Sequence, residues 1–150
     1  MRATRKEMKE LMGEHEAIMA YMGFLARSLD SLATQPVPLK ERIWSYCWGL
    51  SDFRDAIRYH IEVDERIFKA LPDNTRSEDP MEEHRDIQNL VDDMVQVADL
   101  TMVNKLGREE LVQYTSKIGI AFNKIRKLIE LHIAKENTIL ERVQKALNNK

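Results

Sequence analysis

Residues 43–71 read IWSYCWGLSDFRDAIRYHIEVDERIFKAL. The apolar positions return at steps of three and four, through Ile43, Tyr46, Leu50, Phe53, Ile57, Ile67 and Leu71. That spacing holds side chains on one face of a helix. Within the same seam stand His60 and Asp64, one turn apart. A helix of this length with a single apolar face has to bury it against other helices.

Three more stretches carry the same pattern. The first runs through Met8, Leu11, His15, Ile18, Met22, Leu25 and Leu29. The third runs through Met81, His84, Ile87, Val91, Met94 and Ala98, and the fourth through Ile118, Phe122, Ile125, Ile129, His132, Glu136, Ile139 and Val143. The breaks between them are short: Thr34-Gln35-Pro36-Val37-Pro38, Pro72-Asp73-Asn74-Thr75-Arg76-Ser77 and Asn104-Lys105-Leu106-Gly107. Asp79 before Pro80, with Glu82 three positions after the Asp, has the form of an N-cap, a first-turn proline and a capping box. Short connections place neighbouring helices side by side in opposite directions. The expectation is an all-α chain, one domain over residues 1–150, folded as an antiparallel up-down-up-down four-helix bundle, with helices at about 4–33, 39–71, 80–102 and 107–147.

Composition agrees with that class. Hydrophobic residues make up 43% and charged residues 32%, with five Gly and four Pro, which suits amphipathic helices better than short strands joined by many turns. The formal charge of -2 comes from acids and bases scattered together, so no basic stripe follows a phosphate backbone and nucleic acid is not an expected partner. No apolar run approaches the roughly 20 residues that cross a bilayer, and MRATRKEMKE enters a charged amphipathic pattern without a signal-peptide core, so a cytoplasmic location without membrane attachment is expected. The single Cys47 cannot form an internal disulfide and reads as a packed thiol. Trp44, Trp48 and Phe24 lie off the seams, as core flank or as the face of a homodimer.

The chain has four histidines, and each falls on the seam of a different helix. With about 3/7 of helix positions facing a core, chance would do this roughly three times in a hundred. His60 and His132 are each followed four residues later by a seam carboxylate, Asp64 and Glu136. One at a time these groups have ordinary readings, as hydrogen-bonded core histidines or as surface pairs one turn apart. A buried carboxylate is costly unless paired or bound to metal. Counted from the breaks, His15 and His60, Asp64 and His84, and His84 and His132 come within about six residues of level, about 9 Å at 1.5 Å per residue. One layer can therefore contain His15, His60, Asp64, His84, His132 and Glu136, and a metal would satisfy all of them together.

Imidazole and carboxylate without thiolate suit iron, manganese or zinc, and six donors exceed the four of structural zinc. Shared between two octahedral ions with one solvent-derived bridge, they leave about one open position per ion. A ferritin-like site needs Glu-x-x-His pairs, but Met12, Ile57, Met81 and Ile129 precede the histidines by three. A haem between two histidines stays open, though it leaves the seam carboxylates unexplained.

The motifs themselves are Gly-Glu-His-Glu around His15, His-Ile-Glu-Val-Asp-Glu-Arg-Ile-Phe from His60, Glu-Glu-His-Arg-Asp-Ile around His84, and His-Ile-Ala-Lys-Glu-Asn from His132. In order and spacing the chain resembles the hemerythrin-like, or HHE cation-binding, family over essentially its whole length. The resemblance implies two non-haem irons bridged by two carboxylates and an oxo or hydroxo group. Its implied uses are dioxygen binding, oxygen or redox sensing, and handling of nitric oxide or of iron for damaged iron centres. Oxygen-carrying members place two histidines four apart on the third helix, where this chain has Pro80 and Gln88 beside His84. The remaining set of four histidines and two acids looks more like the iron-centre-repair branch. Asp64 stands where the family usually has Glu, one methylene longer, and Glu65 is the reserve carboxylate.

Three functions are therefore in view. The first is binding of dioxygen, nitric oxide or peroxide in a sensing, storage or protective role, inside an apolar shell of Ile18, Ile57, Met81, Ile87 and Ile129. The second is an oxidoreductase or iron donor in nitrosative and oxidative stress. The third is an interaction bundle whose metal is purely structural.

Overall fold

The computed structural model describes residues 5–30, 32, 38–71 and 80–149, the side chains of Leu100 and Thr101 excepted. The described residues form helices joined by turns, with no strand among them. Four are long or of medium length: α1 (Arg5–Asp30), α2 (Leu39–Lys69), α3 (Glu83–Val97) and α5 (Arg108–Asn148), with the four-residue α4 (Leu100–Val103) between the last two. The four longer helices bury most of the seams read from their sequences, with Leu29 and Met81 only partly covered.

The third helix departs from the single span expected over 80–102. Pro80–Glu82 form a 3₁₀ turn, and α3 begins only at Glu83. The expected Asp79 cap lies outside the described residues. At the other end Ala98 leaves helical geometry with ψ 47°, and α4 restarts as the Asp99 carbonyl accepts from the N–H groups of Met102 and Val103. The Tyr114 hydroxyl, from α5, donates to the Val97 carbonyl, which an unbroken helix would pair internally. The step keeps Ala98 and Val103 in the core. At the start of α5 the Glu110 side chain reaches back to accept from the Gly107 N–H at 3.4 Å.

α1 packs against α2 and α5, and α3 packs against the same two helices from the other side. The contacts pair residues in a regular order. Arg5 donates to the Leu147 carbonyl and His15 bonds Asn137; Tyr21 donates to the Gly49 carbonyl, while Glu14 meets His60. Arg58 pairs with Asp92 and Asp64 with His84.

The interior has two apolar clusters with a polar layer between them. The larger fills the bundle from Leu32, Ile43 and Leu111 up to Ile18, Ile61, Ile87 and Ile133, around Phe53 and Phe122. The smaller closes the opposite end with Met8, Leu11, Ile67, Phe68, Leu71, Ile139, Leu140 and Val143. Along every helix the histidines and their carboxylates fall at the junction of the two clusters, so apolar packing on both sides fixes the height of the layer.

Cys47 is free and buried, as expected of a packed thiol. Burial, with the Asp99 charge adding to it, pushes its pKa up to about 11. Only the thiolate reacts with disulfide reagents. The native protein is expected to take up far less than one thiol label per chain within minutes at pH 8, and one per chain in denaturant; immediate labelling of the native protein would contradict this packing. Trp44, Trp48 and Phe24 are all exposed, Trp44 the least of the three. No helix among the described residues is long and apolar enough to cross a membrane.

Candidate metal centre

The polar layer consists of His15 from α1, His60 and Asp64 from α2, His84 from α3, and His132 and Glu136 from α5. All six are buried, with Asp64 and Glu136 at 0% exposure. Four imidazoles and two carboxylates removed from water in one layer would be strongly destabilising without partners.

Their donor atoms converge in two overlapping groups. His15, His60, Asp64 and Glu136 each bring one atom into a set whose members lie within 4.8 Å of one another, and so do Asp64, His84, His132 and Glu136. The two carboxylates belong to both. Glu136 spans the groups with different oxygens: Oε2 lies 3.1 Å from His15 Nε2, while Oε1 lies 3.4 Å from His84 Nε2 and in close contact with His132 Nε2. His84 Nε2 is also 2.9 Å from Asp64 Oδ2 and 2.9 Å from His132 Nε2. The ring pairs His15–His60 and His84–His132 stand edge to face, with centroids 4.9 Å and 4.7 Å apart.

Hydrogen bonding alone does not account for this arrangement. A neutral imidazole nitrogen offers one proton or one lone pair. His84 Nε2 nevertheless meets three polar atoms. Elsewhere in the layer, His15 Nε2, His60 Nδ1 and Nε2, Asp64 Oδ1 and Glu136 Oε2 have no hydrogen-bond partner. The His15 to Glu136 approach is short, but it lacks the alignment of a hydrogen bond. Donors about 2.1 Å from one ion and at right angles to each other stand about 3.0 Å apart, the spacing seen around His84 Nε2. The buried cluster can thus hold a metal ion, and its orphaned atoms fit one. A haem iron with histidines on opposite faces needs their nitrogens about 4 Å apart with a porphyrin between. The 2.9 Å between His84 and His132 does not admit it.

A second set of polar groups holds the rings from outside. His15 Nδ1 donates to Asn137 Oδ1 at 2.6 Å, His84 Nδ1 to Glu65 Oε1 at 3.2 Å, and His132 Nδ1 to Glu83 Oε1 at 3.2 Å. Carboxylate and amide oxygens only accept, so each of these rings carries a proton on Nδ1 and turns Nε2 inward, where a second proton or a metal ion can bind. Glu83 is itself bonded by Lys135 Nζ at 3.3 Å. The choice between Asp64 and Glu65 resolves geometrically: Asp64 points into the layer, while Glu65, half-exposed, backs His84 from outside. Asn137, Glu83 and Glu14 were not singled out from the sequence. Each is a chain neighbour of a layer residue, and that adjacency was the only signal.

Charge in the layer is arranged around the inward nitrogens. Burial opposes the imidazolium of His84, but hydrogen bonds to Asp64 and Glu136 outweigh it and hold the ring's pKa up to about 10. His132 is raised in the same way, to about 9. His15 is raised as well, its contact with Glu136 overcoming burial. His60 goes the other way, down to about 4, through burial and the neighbouring His15 charge. Burial pushes Asp64 up to about 6, and the neighbouring His132 ring, at 3.8 Å, together with the hydrogen bond from His84, holds it there against a further rise. Despite burial, which favours its neutral form, Glu136 sits well below the usual carboxylate range because the rings of His132, His15 and His84 crowd its two oxygens. Without metal, protons on His84 and His132 stand in for a cation.

Comparison with known proteins finds no match: no family model, no curated protein and no solved structure is similar to this chain.

Proposed function

We propose that the chain is a hemerythrin-like di-iron protein that binds dioxygen, nitric oxide or peroxide in a sensing, storage or protective role. The observation that carries this is the layer of six buried donors in two overlapping groups, with orphaned nitrogens and oxygens turned inward. His15 and His60 would hold one iron and His84 and His132 the other, with Asp64 and Glu136 serving both. The pairing of Arg5 with Leu147, His15 with Asn137, Tyr21 with Gly49 and Arg58 with Asp92 supports the antiparallel up-down-up-down order that such a bundle requires. Iron bound there would supply redox change and an open position for a small ligand.

The chain's own residues set what can arrive. Beside the inward imidazoles lies a cavity with about 10 Å³ open to the centre of a water-sized molecule, walled by Ile18, Ile57, Ile61, Ile87, Ile129, Ile133 and the rings of His60, His84 and His132. That is about the room one water needs. It takes a group of about one water's size and excludes organic substrates; a diatomic molecule or peroxide, somewhat larger, needs a small outward shift of the isoleucine side chains. The isoleucines offer no hydrogen bond, so they favour a neutral diatomic over water. Met81, expected in this shell, instead packs with the smaller apolar cluster, and Ile61 and Ile133 complete the wall. This cavity favours ligand binding over a purely structural metal.

The test is the absorption spectrum of anaerobically iron-loaded protein on adding dioxygen and then nitric oxide. A reversible oxygenated band, replaced by a nitrosyl band, is expected. A spectrum unmoved by both gases would overturn the ligand-binding reading and leave a structural metal.

A further inference from the structure

The four imidazoles are backed unequally, and the difference follows the division between the two donor groups. In one half both rings donate to carboxylates: His84 Nδ1 to Glu65 and His132 Nδ1 to Glu83, each at 3.2 Å. In the other half His15 Nδ1 donates to a neutral amide, Asn137 Oδ1. His60 Nδ1 stands 3.5 Å from Glu14 Oε2 without hydrogen-bond alignment, and neither atom has another partner. Asp64 and Glu136 contribute to both groups, so they do not separate the halves.

An imidazole that donates Nδ1–H to a carboxylate gains electron density at Nε2 and binds a cation more strongly. Partners of this kind change metal affinity about 10- to 100-fold. Lys135 offsets part of the Glu83 charge, while Glu65 has no basic partner among its described hydrogen bonds and ion pairs. Two rings hydrogen-bonded to carboxylates therefore face one ring bonded to a neutral amide and one, His60, whose neighbouring carboxylate, Glu14 at 3.5 Å, makes no hydrogen bond to it.

We infer that the His84/His132 half is the tight position, filled first, and the His15/His60 half the weak, exchangeable one, with Glu65 and Glu83 as the positioning residues that set the difference. This rests on the two-ion reading above. It makes a chain carrying a single ion a defined species: that ion sits between α2, α3 and α5, and the His15 side of the centre stays free to exchange.

The test uses Zn(II) alone, added to the metal-free full chain with ¹⁵N-labelled histidine. Four histidines make the ring-nitrogen spectrum assignable. The first equivalent is expected to move the His84 and His132 resonances, and the second those of His15 and His60. Competition with a chelator is expected to give two dissociation constants at least about tenfold apart. Combining Glu65→Gln with Glu83→Gln should weaken the tight step about 10- to 100-fold and leave the weak one in place. Asn137→Asp should tighten the weak step, a gain that a damaged fold cannot produce. If the first equivalent spreads evenly over all four rings, or these variants leave the gap unchanged, the inference falls while the two-ion reading stands. Binding of fewer than two Zn(II) per chain would overturn the two-ion reading and this inference with it.

Discussion

Glu136→Ala is expected to lower bound iron from two per chain to well under one. Glu136 is the residue whose separate oxygens face His15 on one side and His84 and His132 on the other. Its removal takes charge and a donor from both groups, so neither retains more than three of its four donors. The metal-free variant should also be less stable than the metal-free parent. Breaking a buried ion pair by removing one partner costs about 3–5 kcal/mol. Here His84 and His132 can shed their protons once Glu136 is gone, so the loss should fall toward the lower end, about 3 kcal/mol. At roughly 2–4 °C per kcal/mol for a chain of this size, that is a drop in Tm of about 6–12 °C. Glu136→Gln separates the causes: it keeps the volume and loses the charge, and it should lose metal nearly as completely. Iron at two per chain in either variant would show that Glu136 is not a shared donor.

The second large effect is the stabilisation produced by loading, and its pH dependence. Each ion held at a hundredfold over its dissociation constant adds about 2.7 kcal/mol, so two add about 5 kcal/mol, or roughly 10–20 °C in Tm. The metal-free chain should remain folded, because an apolar cluster on each side of the layer packs independently of it. A metal-bound imidazole must give up its inward proton. His84, with a pKa of about 10, and His132, about 9, hold those protons in the metal-free state at pH 7, so loading should release at least about two protons, with a further fraction from His15, whose pKa is also raised. Apparent affinity should therefore rise steeply with pH below about 9 and level off above about 10. It should fall faster still below about 6, where Asp64 also takes up a proton.

In the metal-free protein the sign reverses for the raised histidines, and so for His84 and His132. Their folded pKa values lie above the ordinary 6.5, so their contribution is complete below 6.5 and is lost as pH rises through about 9 and 10. His60, lowered to about 4, runs the opposite way: its contribution is present above 6.5 and is lost as pH falls through about 4. Thermal melts of both forms between pH 5 and 10, with proton release measured by calorimetry in buffers of different ionisation heat, check each sign. Loading that releases no protons at pH 7 would contradict the assignment of His84 and His132.

Much of the architecture was legible because amphipathic periodicity is a local property. The seams through Leu50–Phe53–Ile57 and Phe122–Ile125–Ile129 repeat over many turns, and the buried positions follow them. The layer was legible for a related reason: an ionisable group inside such a seam conflicts with its surroundings, so His15, His60, Asp64, His84, His132 and Glu136 each stood out. The interruption at Ala98 was not legible, because Ala98-Asp99-Leu100 carries no helix breaker. A hydroxyl from Tyr114, distant in sequence, takes the Val97 carbonyl there. Nor could spacing show which ring nitrogen meets which outer oxygen. Asn137, Glu65 and Glu83 sit just off the buried face, and only packing decides whether such a residue reaches a neighbour's ring or water.

The most direct test of the proposed two-metal centre is the iron content of anaerobically loaded, desalted protein against its folded concentration. Two iron per chain, falling below one when Glu136 is replaced, is the expected result. One iron or less in the unaltered chain would contradict a centre built from four histidines and two shared carboxylates.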